Sequence, residues 1–95
     1  MKPRILVVGS SNTDMIARVP RIPRPGETIL GGEFITAAGG KGANQAVAAA
    51  RLGGHVKMIG RVGDDAFGHA MLRALANDQV DATYIERDPD QPTGV

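Results

Sequence analysis

The chain has 95 residues, eleven of them basic and ten acidic, for a net charge of +1; 42% are hydrophobic and none is cysteine. Near-neutral charge argues against nucleic acid as the main partner, because binding a phosphate backbone takes a clear basic excess. The missing thiols exclude a disulfide framework and a thiolate metal site. The apolar run after Met1-Lys2-Pro3-Arg4 stops at Gly9, shorter than the roughly 7–15 residues of a signal peptide, and nothing approaches the roughly 18 of a membrane helix. A cytoplasmic protein without a membrane or nucleic-acid partner is expected, and the length suits one small domain.

Ile5-Leu6-Val7-Val8 is a short aliphatic run closed by Gly9. It predicts a strand covered on both faces, as in a parallel sheet. Ser10 to Asp14 predicts a polar loop. Met15 to Val19 alternates imperfectly and reads as extended. Pro20, Pro23 and Pro25-Gly26 break the next segment. A second extended segment is expected from about Thr28 to Thr36, with a bulge or bend at Gly31-Gly32. The two extended segments are expected to pair as an antiparallel ribbon.

Ala38 to Gly42 predicts a flexible loop, and Ala43 to Leu52 an alanine-rich helix stopped by Gly53-Gly54. The small face of that helix is Ala43, Ala46, Val47 and Ala50. Val56 to Ile59 predicts a second strand, ended by Gly60. Asp64 or Asp65 can cap a helix over about Ala66 to Ala76, with Phe67, Met71 and Leu75 as its core stripe. Val80 to Ile85 predicts a third strand. The order strand, ribbon, helix, strand, helix, strand is α/β with right-handed crossovers. Three core strands with two helices make a thin sheet, and a new apolar segment opens at Thr93-Gly94-Val95, so a truncated domain is expected.

Three stretches could carry chemistry. Asn12 and Asp14 lie just past the first strand, where open α/β sheets bind ligands. An Asp carboxylate accepts from two hydroxyls and an Asn amide both donates and accepts, which suits a polyol. Both residues are equally ordinary turn formers. Gly39-Gly40-Lys41-Gly42-Ala43-Asn44 precedes a helix, whose first N–H groups can meet a ligand, and a plain helix lead-in is its other reading. It is not a phosphate loop of the G-x-x-x-x-G-K-[ST] type, since Gly42 follows Lys41 and Ile35 stands where the leading glycine belongs; G-x-G-x-x-G fails at Gln45. Gly60 to Gly68 reads as a strand end, a turn and a helix cap. His55 and His69 are isolated, so metal ligation is not expected. Arg18, Arg21 and Arg24 read as a solvated ribbon edge.

Taken together, Gly9-Ser10-Ser11-Asn12-Thr13-Asp14, Pro23-Arg24-Pro25-Gly26-Glu27-Thr28 and Gly39-Gly40-Lys41-Gly42-Ala43-Asn44-Gln45-Ala46 resemble the opening third of the ribokinase-like carbohydrate kinases. Gly60-x-Val62-Gly63-Asp64-Asp65-x-Phe67-Gly68 and Thr93-Gly94-Val95 continue the likeness over essentially the whole chain. The resemblance implies the amino-terminal part of a three-layer α/β sandwich with a small β-sheet lid, over residues 1–95. Lid segments are implied at about 14–20 and 27–37, and from about 92. It implies ATP-dependent phosphorylation of D-ribose to ribose 5-phosphate, with Mg²⁺, activation by a monovalent cation such as K⁺, and a homodimer joined through the lid. It places Asn12, Thr13 and Asp14 on one side of the sugar, and Gly40, Lys41, Gly42, Ala43 and Asn44 on the other. The family's catalytic, nucleotide and metal residues lie in its carboxyl-terminal half, so none is expected here. Two other readings stand beside this one. One is a kinase for another sugar or nucleoside, such as fructose or adenosine. The other is a non-catalytic sugar-binding or lid-interaction module.

Overall fold

A computed structural model describes residues 2–95. Its elements are β1 (Arg4–Val8), β2 (Asn12–Arg18), β3 (Glu33–Gly39), α1 (Lys41–Arg51), β4 (His55–Gly63), α2 (Ala66–Asn77) and β5 (Asp81–Asp88). β1, β4 and β5 form a parallel sheet with β4 in the middle, and β2 and β3 form a separate antiparallel ribbon. The α/β class and the order of elements agree with the sequence.

The sheet grows in one direction, β1 to β4 to β5. Right-handed crossovers then put α1 and α2 on the same face. Val7, Val56, Met58, Val62 and Ile85 turn toward the helices and meet Ala43, Ala46, Met71 and Leu75 in one core. Alternation sends Leu6, Val8, Ile59 and Tyr84 to the other face, where Leu6 is 58% and Val8 71% exposed. The strands were expected to be covered on both sides; here one side is bare. The apolar runs reflect a sheet whose second face has no partner among these elements.

Several boundaries shift, each for a visible reason. β4 does not stop at Gly60 but pairs with β5 as far as Gly63↔Asp88. Gly60 serves close approach instead, since a Cβ there would stand 3.0 Å from the Gly9 carbonyl oxygen. The ribbon begins at Asn12, not near 14, because Asn12 pairs with Gly39 and Asp14 with Ala37. Its second strand begins at Glu33, not near 27. The prolines before it cannot donate to a ladder, and Gly31 and Gly32 turn the chain at φ 79° and 139°. The ribbon arginines are solvated as expected: Arg18 pairs with Glu33 at 3.6 Å with both side chains more than half exposed, a contact of little energetic weight.

α1 starts at Lys41, so the expected loop at Gly42 is already helix. α2 is capped by Asp65, whose carboxylate accepts from the Gly68 N–H at 2.8 Å. Met71 and Leu75 of its stripe are buried, while Phe67 is half-buried.

Candidate functional site

The carboxyl end of β1, the start of β2 and the start of α1 meet through backbone, with glycines at each crossing. The Gly42 Cα touches Gly9: a Cβ on Gly42 would stand 2.7 Å from the Gly9 carbonyl carbon and 2.8 Å from the Ser10 nitrogen. Gly40 has φ 97°, and a Cβ on it would stand 2.8 Å from the Ser10 carbonyl oxygen. The Ala43 N–H donates to that same Ser10 oxygen at 2.9 Å. The turn after β1 and the first turn of α1 are thus held as one body. Gly42→Ala is expected to force this contact apart and cost about 1–3 kcal/mol of stability, the scale of an overpacked core. A thermal melt of the variant beside the parent checks it.

Along β2 the side chains alternate. Asn12 and Asp14 share one face. The Asp14 carboxylate lies over Gly39, where an added Cβ would meet both of its oxygens at 2.5 Å. Gly39 leads directly into Gly40 and Lys41, so the Asp14 carboxylate stands beside the N-terminus of α1. Asp14, Lys41 and Asn44 are exposed, and Asn12 is half-buried. Exposed polar groups from two elements thus flank the junction of β3 with α1, Asn44 also lining a groove with Val47 of α1 and Met71 and Ala74 of α2, and the first turn of α1 adds backbone N–H groups that a helix cannot satisfy itself.

Not every residue expected at the site presents a side chain to it. Thr13 is buried and lines a small apolar cavity with Phe67, Ala70 and Met71 of α2, on the opposite face from Asp14. Ala43 is buried in the core, and Gly42 contributes backbone alone. Of the expected set, Asn12, Asp14, Lys41 and Asn44 have side chains at least partly open to solvent, and Gly40 and Gly42 can offer backbone alone.

Residues beyond that set complete the frame. Thr93 is buried beside α2. Its N–H donates to Asp65 Oδ2 at 2.9 Å and its hydroxyl to Oδ1 at 2.7 Å, while the Gly63 N–H donates to Thr93 Oγ1 at 2.9 Å. The two bonds from Thr93, with that from Gly68, hold the Asp65 carboxyl below its ordinary range. Next along, the Gly94 carbonyl accepts from the Thr13 N–H at 2.8 Å, and Gly94 bridges Asn12 as a parallel neighbour. The cap at Asp65 was legible in the sequence; its tie to Thr93 was not. His69 is not isolated, since its Nε2 lies 2.8 Å from Asp64 Oδ1. Among the described residues no three His, Cys, Asp or Glu side chains converge as a metal cluster, and no helix is long and apolar enough to cross a membrane.

A parallel sheet with a ribbon rising at its carboxyl ends, and a glycine-built polar site between them, is the plan of a small-ligand-binding α/β protein. The chain belongs to the pfkB family carbohydrate kinases, whose sequence profile matches residues 2–95. It is 51% identical over 82 residues to the ribokinase of Bacillus subtilis (strain 168), covering 86% of this chain and 28% of that protein. It is 44% identical over 95 residues to the ribokinase of Haemophilus influenzae, covering all of this chain and 31% of that one. The structure of Arabidopsis thaliana ribokinase complexed with ribose and ATP superposes with a TM-score of 0.85 at 40% identity, over 98% of this chain and 30% of that one. The chain therefore spans under a third of the length of these relatives.

Proposed function

We propose that this chain supplies the sugar-binding side of an ATP-dependent kinase that converts D-ribose to ribose 5-phosphate. The observation that carries the reading is the Asp14 carboxylate lying over Gly39, two residues before Lys41 opens α1. Asp14 accepts from sugar hydroxyls. Asn12 and Asn44 can donate and accept. The glycine contacts fix the backbone that carries these groups before the sugar arrives, which lowers the ordering cost of binding. Likeness to ribokinases, one of them solved with ribose and ATP, supports the substrate and the phosphoryl donor.

The contribution of these residues to phosphoryl transfer is positioning. Presenting the acceptor hydroxyl in a fixed place is a large part of such catalysis. ATP, Mg²⁺ and a monovalent cation belong to the same reading. The described residues do not fit as their holders, since no metal cluster forms and the glycine run lacks phosphate-loop spacing. Dimerisation through the ribbon also belongs to the reading, and the exposed Met15, Ile16, Val19 and Phe34 on and beside it support it.

Lys41 sits exposed in the first turn of α1, beside the site. Lys41→Met in the full-length enzyme carrying these residues is expected to lower kcat/KM for ribose without lowering Tm. Steady-state kinetics with a melt of the same sample checks both halves. Unchanged kinetics would leave Lys41 as a solvated helix residue.

A further inference from the structure

We propose that Asp65 is a positioning residue for the sugar site, acting through Thr93 and Gly94 on Asn12; this rests on the sugar-binding reading above. Asp65 touches none of the groups that face the sugar, and it lies far from them in sequence. Yet the chain of contacts is short. Oδ2 and Oδ1 of Asp65 hold the Thr93 N–H and hydroxyl at 2.9 and 2.7 Å. Thr93 is bonded to Gly94, whose carbonyl takes the Thr13 N–H at 2.8 Å. Gly94 also lies flat against the Asn12 side chain, so that a Cβ on Gly94 would stand 2.8 Å from Asn12 Oδ1.

The surroundings are shaped for this latch. A Cβ on Gly63 would stand 2.5 Å from the Thr93 nitrogen and 2.6 Å from Asp65 Oδ2. A Cβ on Gly68 would collide with the Gly63 carbonyl oxygen and stand 3.0 Å from Thr93 Oγ1. A helix cap alone needs one acceptor oxygen at Asp65 and no glycine at position 63. The second oxygen and the tight fit around Thr93 serve the segment that ends beside Asn12. Asn12 is half-buried, with its side chain against that neighbour.

Asp65→Asn separates the cap from the latch. Asn caps helices as well as Asp does, and its oxygen can still accept from the Gly68 N–H. Its NH₂ group would then face the Thr93 N–H, donor against donor. Thr93→Val removes the hydroxyl at similar size, and Thr93→Ser restores it. The test is ribose affinity by calorimetry, with KM and kcat, in the full-length enzyme carrying these residues. Val56→Ala, in the core at the amino-terminal end of the parallel strands, serves as a stability control away from the site, and Asp14→Ala as a control for the sugar site itself.

Asp65→Asn and Thr93→Val are expected to raise the ribose Kd and KM about tenfold, the scale of one lost hydrogen bond, with kcat changed far less. Thr93→Ser should restore parental affinity. Val56→Ala should lower Tm and leave Kd alone. Amide exchange at Thr13, whose N–H is held by Gly94, should quicken in Asp65→Asn and Thr93→Val. Parental Kd and Thr13 exchange in these two variants, with Asp14→Ala still weakening ribose, would overturn the latch and leave the sugar site standing. Parental Kd in Asp14→Ala would overturn the sugar site and the latch with it.

Discussion

Asp14→Ala in the full-length enzyme is expected to weaken ribose binding by roughly 10- to 150-fold, because a hydrogen bond to a charged group is worth about 1.5–3 kcal/mol. The effect should be larger than for any neighbour. Asp14 brings a carboxylate, is exposed on the ribbon face, and stands against Gly39, two residues before α1 begins. The variant should fold normally, since no hydrogen bond within the protein depends on that carboxylate among the described residues. Calorimetry of ribose binding reads the loss, and a melt of the same sample shows that the fold is intact. Unchanged affinity in a folded variant would remove Asp14 from the site.

The 95-residue chain by itself is expected to show no ATP-dependent phosphorylation of ribose and to be marginally stable at best. The first half follows from the site: acceptor-positioning groups are present, while neither phosphate-loop spacing nor a metal-ligating cluster occurs among the described residues. The second half follows from the sheet. Leu6, Val8, Ile59 and Tyr84 leave one face bare, and the ribbon adds Phe34, which is 65% exposed. At roughly 25 cal/mol per Å², leaving about 400 Å² of apolar surface uncovered forgoes about 10 kcal/mol, comparable to the stability of a typical domain. The edges of β1 and β5 are also unpaired in the sheet, open to pairing with another chain. Expression of the chain alone, with light scattering and a thermal melt, tests this. A soluble monomer with a sharp cooperative transition would contradict the instability, and measurable ribose 5-phosphate would contradict the inactivity.

Much of the fold was legible because local signals agreed with one another. The aliphatic runs at Ile5–Val8 and Val56–Ile59, the alanine-rich α1 and the i, i+4, i+8 spacing of Phe67, Met71 and Leu75 all gave the right element in the right order. What failed was set by partners distant in sequence. Asn12 and Asp14 are turn formers by propensity, yet pairing with Gly39 and Ala37 makes them strand. Gly60 looked like a strand end, yet it is a point of contact with Gly9 inside a longer strand. Which sheet face lies bare depends on the direction in which strands are added, which no single apolar run records.

The site was legible in part for the same reason. Gly40, Lys41 and Asn44 are contiguous with a helix start, and Asn12 and Asp14 follow a strand, so spacing alone brought both stretches into view. Thr13 was grouped with them by adjacency, but alternation along β2 sends it to α2. The Asp65–Thr93 tie joins residues 28 apart and leaves a local trace only as an ordinary helix cap. The single hint was that Thr93-Gly94-Val95 recurs in the family pattern without a local reason.

The most direct measurement is a crystal structure of the full-length enzyme carrying these residues, soaked with ribose. The expected result is ribose seated between the start of the ribbon and the start of α1, with the Asp14 carboxylate, Asn12, Asn44 and the Gly40–Lys41 backbone within hydrogen-bonding distance of its hydroxyls. Ribose bound elsewhere, with Asp14 and the α1 N-terminus contacting only solvent, would contradict the assignment of this chain as the sugar-binding side.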